Sequence, residues 1–474
     1  MKVVLIQQYA SPCFGILAIM SYLKHHNINC DVIVWSLEEE PVKTISELKP
    51  DLIGISVMTT EHYWMVEAVR SIKERLPEVK IIVGGIHAFI YPEDIMAVQG
   101  VDLVCNSDGE YVMLEVCRKL DESKADCSSV KGLVYRDKNG MVRSSGRADF
   151  FKYSPYILED RIPYFSRYPV MSKDTVPRFI ASRGCPYNCS FCYNSQIRDI
   201  FKDTDGEYLR YKYPENLIQE ISNICRRYPV ESIFFVDDLF CSNRKWLSQF
   251  LDIYKREVNY PFMCTTRANI MTEELARMLS EAGCQTISFG IETGYEIIRE
   301  KILNKKISDE HIIRCGQIAR KYGIQVQTSN MFCLPDETLD DAFRTIELNH
   351  KAGTDLAFTS LFLPFPNTEL ANYCIKKKYL KEDFSFKDLP KSFLSRSILS
   401  VDNKEAIINT QQLSYFFIRY PWFYKRFRGI VKINVLKPLF YFLYLLSNFM
   451  RHKVERKRSY FSALLYAWQL RKTV

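Results

Sequence analysis

Apolar positions in the first 125 residues come as short runs separated by amphipathic stretches, the alternation of a parallel α/β domain. KVVLIQQ, CDVIVW, LIGISVM, KIIVGG and LVCNS read as five strands. Helical spacing covers Leu17–His25, Thr44–Leu48, Glu61–Arg75 and Pro92–Val98, and Glu110–Leu120 follows the last strand. The fold expected for 1–125 is a doubly wound, flavodoxin- or Rossmann-like sheet with its ligand site at the carboxyl ends of the strands. The pattern changes over 126–176. There GLVYRDKNGMVRSS sets Asn139-Gly140 between alternating segments, a hairpin signal, and a Tyr-, Pro- and Arg-rich connector follows.

From 177 to 390 the alternation resumes on a longer period. RFIAS, ESIFFVD, FMCTT, TISFG, IQVQTSNMF and LAFTSLF are the expected strands. Glu215–Arg227, Arg244–Glu257, Thr272–Ala282, Ser308–Tyr322 and Thr338–Ala352 are the expected helices. Six βα units without a seventh or eighth predict a partial (β/α)6 TIM-type barrel, open on one side, with its reactive groups at the carboxyl ends of the strands. Residues 391–474 read as a basic, aromatic, helical region.

Composition changes this picture in two places. Fifteen cysteines spread over 474 residues are not the dense, even set of a secreted disulfide scaffold. With no clear signal-peptide cleavage site, a reducing cytoplasm is the expected location. Charge is segregated: residues 401–474 hold 14 Lys/Arg against 3 Asp/Glu, while the remainder holds 50 against 53. The uncharged, aromatic stretch Pro438–Asn448 of that tail is too short to span a bilayer. The tail therefore reads as a helical subdomain covering the barrel opening, or as a peripheral membrane contact through 405–474. Nucleic acid is not expected, because the apolar residues are too many and too contiguous.

SRGCPYNCSFCYN places Cys185, Cys189 and Cys192 on one loop just after an apolar strand. Three thiolates can hold three irons of a cubane and leave the fourth open to a ligand that is also a reactant. Zinc would want a fourth Cys or His nearby, and none lies within 30 residues on either side. The loop, with Phe191 before the third Cys, resembles that of the radical S-adenosylmethionine enzymes. The resemblance implies a [4Fe–4S] cluster, S-adenosylmethionine on its open iron, and an electron donor such as flavodoxin or ferredoxin.

It also assigns candidate S-adenosylmethionine contacts. Beside Phe191 these are Asp237 and Asp238 of FFVDDLF, for the ammonium or as supporting groups, and Glu292 of SFGIETG, for the ribose hydroxyls. Thr328 and Asn330 on the fifth strand would reach the adenosyl group or substrate, and Arg267 and Asn269 are weaker pocket candidates. Two segments depart from the family pattern. FCLPDET stands where Gly-x-Pro is usual, and PFPNTEL stands where P-x-P-G-T is often found.

The first domain resembles the cobalamin-binding domain fused to the barrel in one large branch of that superfamily. The matching segments are GISVMT, IIVGGIHA and NSDGEYV. They imply cobalamin contacts at Ser56, Met58, Thr59, Thr60, Gly84, Gly85, His87 and Gly109. D-x-H-x-x-G is missing, since QQYASPCFG stands in its place, so no His there can ligate cobalt from below. The branch resembled includes the anaerobic magnesium-protoporphyrin IX monomethyl ester cyclase.

The expected function is radical chemistry at a [4Fe–4S] cluster. It takes the form of cobalamin-dependent methylation of an unactivated centre on a small-molecule or lipid-like substrate. The rivals are a radical cyclase, rearrangement or oxidation enzyme with a purely structural first domain, and a non-catalytic iron–sulfur or membrane-associated scaffold.

Overall fold

The protein is described by a computed structural model over residues 1–122, 126–204, 206–390 and 396–455; the remainder of the basic tail, 456–474, lies outside the described residues. Two compact units result. Among the described residues the first holds Met1–Asp174 and Ile197–Pro229, the second Thr175–Gln196 and the chain from Val230 onward.

The first unit is built on strands β1 (Lys2–Gln7), β2 (Asn29–Val34), β3 (Leu52–Ser56), β4 (Lys80–Gly84) and β5 (Leu103–Cys105), all parallel and ordered β2-β1-β3-β4-β5. Helices cover such a sheet on both faces, so its strands read as near-continuous apolar runs. Val4, Ile6, Ile33, Ile53, Ile55, Ile81, Val83 and Val104 form one buried cluster with Met65, Val69 and Ile72 of the helix His62–Arg75. The Asn139-Gly140 turn closes a hairpin of β6 (Leu133–Arg136) and β7 (Val142–Ser144), which extends the same sheet antiparallel from β5. Strand order reverses between β1 and β3. That is the crevice where a doubly wound sheet binds its ligand.

The second unit holds a six-stranded parallel sheet in consecutive order. Its strands are β8 (Arg178–Phe179), β9 (Ile233–Phe235), β10 (Phe262–Thr265), β11 (Cys284–Glu292), β12 (Gln325–Phe332) and β13 (Leu356–Leu361). Among the described residues β8 and β13 do not pair, so the barrel stays open. Asn243, Thr272, Ser308 and Thr338 cap the helices that return between strands, each side-chain oxygen accepting from a first-turn backbone N–H.

One sequence reading expected the tail to cover the opening; among the described residues, the part next to the barrel lies on its outer face. Its helix Lys404–Arg419 packs outside the barrel, where Gln411 Nε2 donates to Thr359 O at 3.1 Å and Ser414 Oγ lies 2.9 Å from Thr359 Oγ1. It takes the place of the helix that would follow the sixth strand, and Ile407, Leu413 and Phe417 join Phe332, Ile346 and Leu361 in one core. No single described helix is long and apolar enough to cross a membrane. One bent pair, Pro421–Lys432 with Asn434–Asn448 at 106°, has the length and composition together.

Both departures from the family pattern keep the backbone turn that glycine would supply. Cys333 adopts φ 58° and Asn367 φ 65°, both left-handed. Asn visits that region readily. Cys333 is held in a turn where Glu337 Oε2 accepts from Leu334 N at 3.1 Å. Burial pushes the Glu337 carboxyl up to about 8, so the folded chain keeps a proton that the unfolded chain releases near 4.5. Between those values the native state binds more protons, and stability falls as pH rises, by at most about 1.4 kcal/mol per pH unit. Glu337→Gln keeps the acceptor and removes the titration. Its denaturant stability from pH 5 to 8 should therefore slope less steeply than the wild-type curve; parallel curves would refute the assignment.

Candidate active site

The cluster loop leaves the first barrel strand and is fixed from several sides. Cys192 N donates to Cys189 O at 3.1 Å, Ser190 N to Leu303 O at 3.0 Å and Ser190 Oγ to Ile302 O at 2.6 Å. Asn304 Nδ2 donates to Asn188 O at 2.8 Å. Cys185, Cys189 and Cys192 are free thiols, Cys189 the most buried. Burial pushes the Cys185 and Cys192 thiols up, with Asp238 adding repulsion, and Cys192 reaches about 11. Iron binding thus displaces a proton from each of these two.

Donors already stand by two of the three sulfurs. Asn194 Nδ2 reaches Cys192 Sγ at 3.6 Å and Arg267 Nη1 reaches Cys189 Sγ at 3.7 Å. The Arg267 guanidinium lies 3.8 Å over the Tyr187 ring, and its Nε donates to Asn269 Oδ1 at 3.1 Å. Arg267 and Asn269 therefore belong to the cluster loop's surroundings. Among the described residues no three His, Cys, Asp or Glu converge on a single ion position. Three free thiols on one loop, two of them with a donor beside the sulfur, suit a cluster that takes one thiolate per iron.

The other expected S-adenosylmethionine residues sort differently. Asp237 is buried, and its oxygens accept from Ala181 N at 3.0 Å, Ser182 N at 2.6 Å and Ser182 Oγ at 2.5 Å. Burial pushes its carboxyl up to about 6. It clamps the strand that leads into the cluster loop rather than facing a ligand, whereas Asp238 beside it is exposed near the cysteines. Phe191 packs on the cluster of Ile298, Leu303, Leu334 and Phe362.

Glu292 ends β11 with φ 66°, a left-handed backbone that costs a residue other than glycine about 1–3 kcal/mol. Lys305 Nζ holds its Oε1 at 2.5 Å, and both side chains are nearly buried. A Cβ on Gly290 would overlap Glu292 Oε1, so the pair needs that glycine. Lys305 was not among the residues singled out from the sequence.

Thr328 and Asn330 are on the wrong face. Thr328 Oγ1 donates to Asn349 Oδ1 at 2.6 Å and Asn349 Nδ2 donates to Asn330 Oδ1 at 2.8 Å, inside the outer helix Leu339–Ala352. By strand alternation, Gln327, Ser329 and Met331 take the inner face instead. Phe234, Thr265, Ser288, Gly290, Ser329, Met331, Phe358 and Ser360 remain partly accessible there, while Phe235, Cys264, Ile287, Phe289 and Phe332 of the outer face are buried. The inner face is an open lumen, not a packed core. Gln327 Oε1, at an inner-face position of β12, is buried without a hydrogen-bond partner among the described residues.

In the first unit the carboxyl edge of β1 and β3 exposes Tyr9 and Met58, with Tyr63 beside them. The β1 loop is wound on Gln7, whose Nε2 donates to Tyr9 O at 2.5 Å and Ser11 O at 2.6 Å while Oε1 accepts from Cys13 N at 3.2 Å and Tyr164 OH at 2.5 Å. Ser56 Oγ lies 3.5 Å from Cys13 Sγ, Thr60 is exposed, and Thr59 Oγ1 is buried without a hydrogen-bond partner among the described residues. Gly84 closes β4. Gly85, at φ 94°, lets the chain pass 2.7 Å from Val57 N and O where a Cβ would stand.

His87 is not on this edge. It is fully buried, its Nε2 lies 3.0 Å from His62 Nδ1, and burial with the His62 charge lowers it to about 3. Gly109 makes room for Ile19 of the first helix, where a Cβ would overlap Ile19 Cδ1. The edge fits a broad, largely apolar macrocycle approached by backbone, with neither buried histidine placed as a ligand from below. Gly85→Ala should cost about 1–3 kcal/mol and weaken cobalamin binding; an unchanged melting temperature would refute the tight passage.

Two family models match the chain, the radical SAM superfamily over residues 179–348 and the B12-binding domain over residues 7–117. An uncharacterized methyltransferase of Pyrococcus horikoshii is 29% identical over 344 residues, 71% of this chain and 72% of that protein. The anaerobic magnesium-protoporphyrin IX monomethyl ester cyclase of Rubrivivax gelatinosus is 26% identical over 72% of this chain and 61% of its own length. The structure of the cobalamin-dependent S-adenosylmethionine radical enzyme OxsB, with aqua-cobalamin and S-adenosylmethionine bound, superposes with a TM-score of 0.70 at 16% identity. That alignment covers 99% of this chain and 75% of that one, a likeness of fold.

Proposed function

We propose that this chain, a radical SAM enzyme with an N-terminal B12-binding domain, transfers a methyl group to an unactivated centre of a substrate held in the barrel lumen. The observation that carries the reading is the pairing of two strand-end sites in one chain. One is a three-cysteine loop with Arg267 and Asn194 on its sulfurs; the other is a glycine-tight, apolar edge at a doubly wound switch point. When bound, the [4Fe–4S] cluster supplies the electron that cleaves S-adenosylmethionine to a 5′-deoxyadenosyl radical, and cobalamin carries the methyl group.

Cys185, Cys189 and Cys192 hold the cluster, while Asp237 fixes the strand that delivers them. Glu292, with Oε1 bound to Lys305, offers its second oxygen to the ribose hydroxyls, and Asp238 faces the ammonium. Gln327, with Ser288, Ser329 and Ser360, orients polar groups of the substrate. Phe234, Met331 and Phe358 shield an apolar body, so the lumen suits a substrate that is mostly hydrocarbon with few polar handles. A flavodoxin or ferredoxin supplies the electron.

Reconstituted protein, given S-adenosylmethionine and a low-potential reductant without methyl acceptor, should form S-adenosylhomocysteine up to one per bound cobalamin. 5′-Deoxyadenosine without S-adenosylhomocysteine would shift the reading to radical rearrangement or cyclisation.

A further inference from the structure

The helix Lys437–Glu455 is apolar on two opposite faces. Phe440, Tyr444 and Ser447 are buried, the first of them in the core formed with the helix Lys404–Arg419. Leu439, Phe442, Leu445 and Leu446, at the helical spacing of a second stripe, are exposed, Phe442 by 61%. The preceding turns continue that exposure with Trp422 at 66% and Val435 at 82%. A helix with apolar residues all round needs a second apolar phase.

What surrounds the stripe names its chemistry. From Arg419 to Asn448 the chain carries six basic residues and no acidic one. Lys425, Arg426 and Lys432 are exposed and make no ion pair among the described residues. Arg428 pairs with Glu347 and Lys437 with Glu405. Beside the stripe, Arg396, Lys404 and Lys437 line one recess together with Glu405 and Tyr441.

We propose that this face docks onto an anionic lipid surface, with Trp422, Val435, Phe442 and Leu446 entering the interface and Lys425, Arg426 and Lys432 meeting the headgroups. It does not span the bilayer. The first arm carries Lys425, Arg426, Arg428 and Lys432 within its length, and Phe440 and Tyr444 tie the second arm to the core. The inference goes beyond methyl transfer, and its test reads binding without turnover.

The full-length chain is floated with vesicles of phosphatidylcholine, with and without phosphatidylglycerol. It should bind the anionic vesicles at least about tenfold better, and added salt should release it. The variant Trp422→Ser/Val435→Ser/Phe442→Ser should lose binding while keeping the wild-type melting temperature, and Lys425→Glu/Arg426→Glu/Lys432→Glu should lose the preference for anionic lipid. Three outcomes overturn the proposal: no flotation of the wild-type chain on anionic vesicles, equal flotation of the triple-serine variant, or a wild-type dimer that the serine variant dissolves without any vesicle binding. The last would assign the face to a second copy.

Discussion

Cys189→Ala should abolish S-adenosylmethionine cleavage, to the background of the uncatalysed reaction, and should leave cobalamin binding at the wild-type level. Cys189 is the most buried of the three loop thiols and the one that Arg267 Nη1 approaches. In the proposed cluster its loss would remove one iron's protein ligand, and it leaves the guanidinium stacked on Tyr187 without its sulfur contact. The variant should lack the charge-transfer absorbance of the cluster after anaerobic reconstitution. The other strand-end site is built from loops after β1, β3 and β4, in which Cys189 takes no part, so the cobalamin spectrum should persist. A variant that keeps cleavage activity with no cluster absorbance would remove the catalytic assignment of the loop.

Glu292 carries the second large effect, and a double substitution separates its two roles. Glu292→Gln leaves Lys305 as a nearly buried cation without its carboxylate, a break that costs about 3–5 kcal/mol. The melting temperature should fall clearly, and, if Glu292 binds the ribose as proposed, affinity for S-adenosylmethionine should fall at least about tenfold through loss of charge-assisted hydrogen bonds. Glu292→Gln/Lys305→Met removes both charges. It should recover most of the stability, because an apolar replacement of a buried pair is often neutral, yet affinity should stay low. Recovery of both would reduce Glu292 to a structural partner of Lys305. Equilibrium binding of S-adenosylmethionine, measured beside thermal melts, distinguishes these outcomes.

The strands were legible because parallel sheets leave apolar runs, and five of the six barrel strands fall within the segment the pattern marked, while β11 extends two residues beyond TISFG at each end. Inner and outer faces were not legible for β12. QVQTSNMF carries polar residues at both parities, so nothing in its alternation told Thr328 and Asn330 from Gln327 and Ser329. Asn349, 19 residues away on the outer helix, settles the matter by satisfying Asn330. His87 follows a Gly-Gly strand end and looks accessible in sequence, yet its partner His62 lies 25 residues earlier and draws it inside.

Lys305 was missed because it is 13 residues from Glu292 with no local periodicity linking them; Gly290, two residues before the carboxylate, was the available signal. The Asp237-Asp238 pair shows the same limit. Alternation sends adjacent carboxylates to opposite sides of a strand end, so one clamps backbone while the other faces out.

Cobalamin per chain is the measurement that tests the central claim most directly, in protein produced anaerobically with iron, sulfide and cobalamin supplied. The proposed function requires close to one cobalamin per chain beside an intact [4Fe–4S] cluster. An intact cluster with no bound cobalamin would contradict it, leaving a radical enzyme whose first unit is structural and whose chemistry is rearrangement or cyclisation rather than methyl transfer.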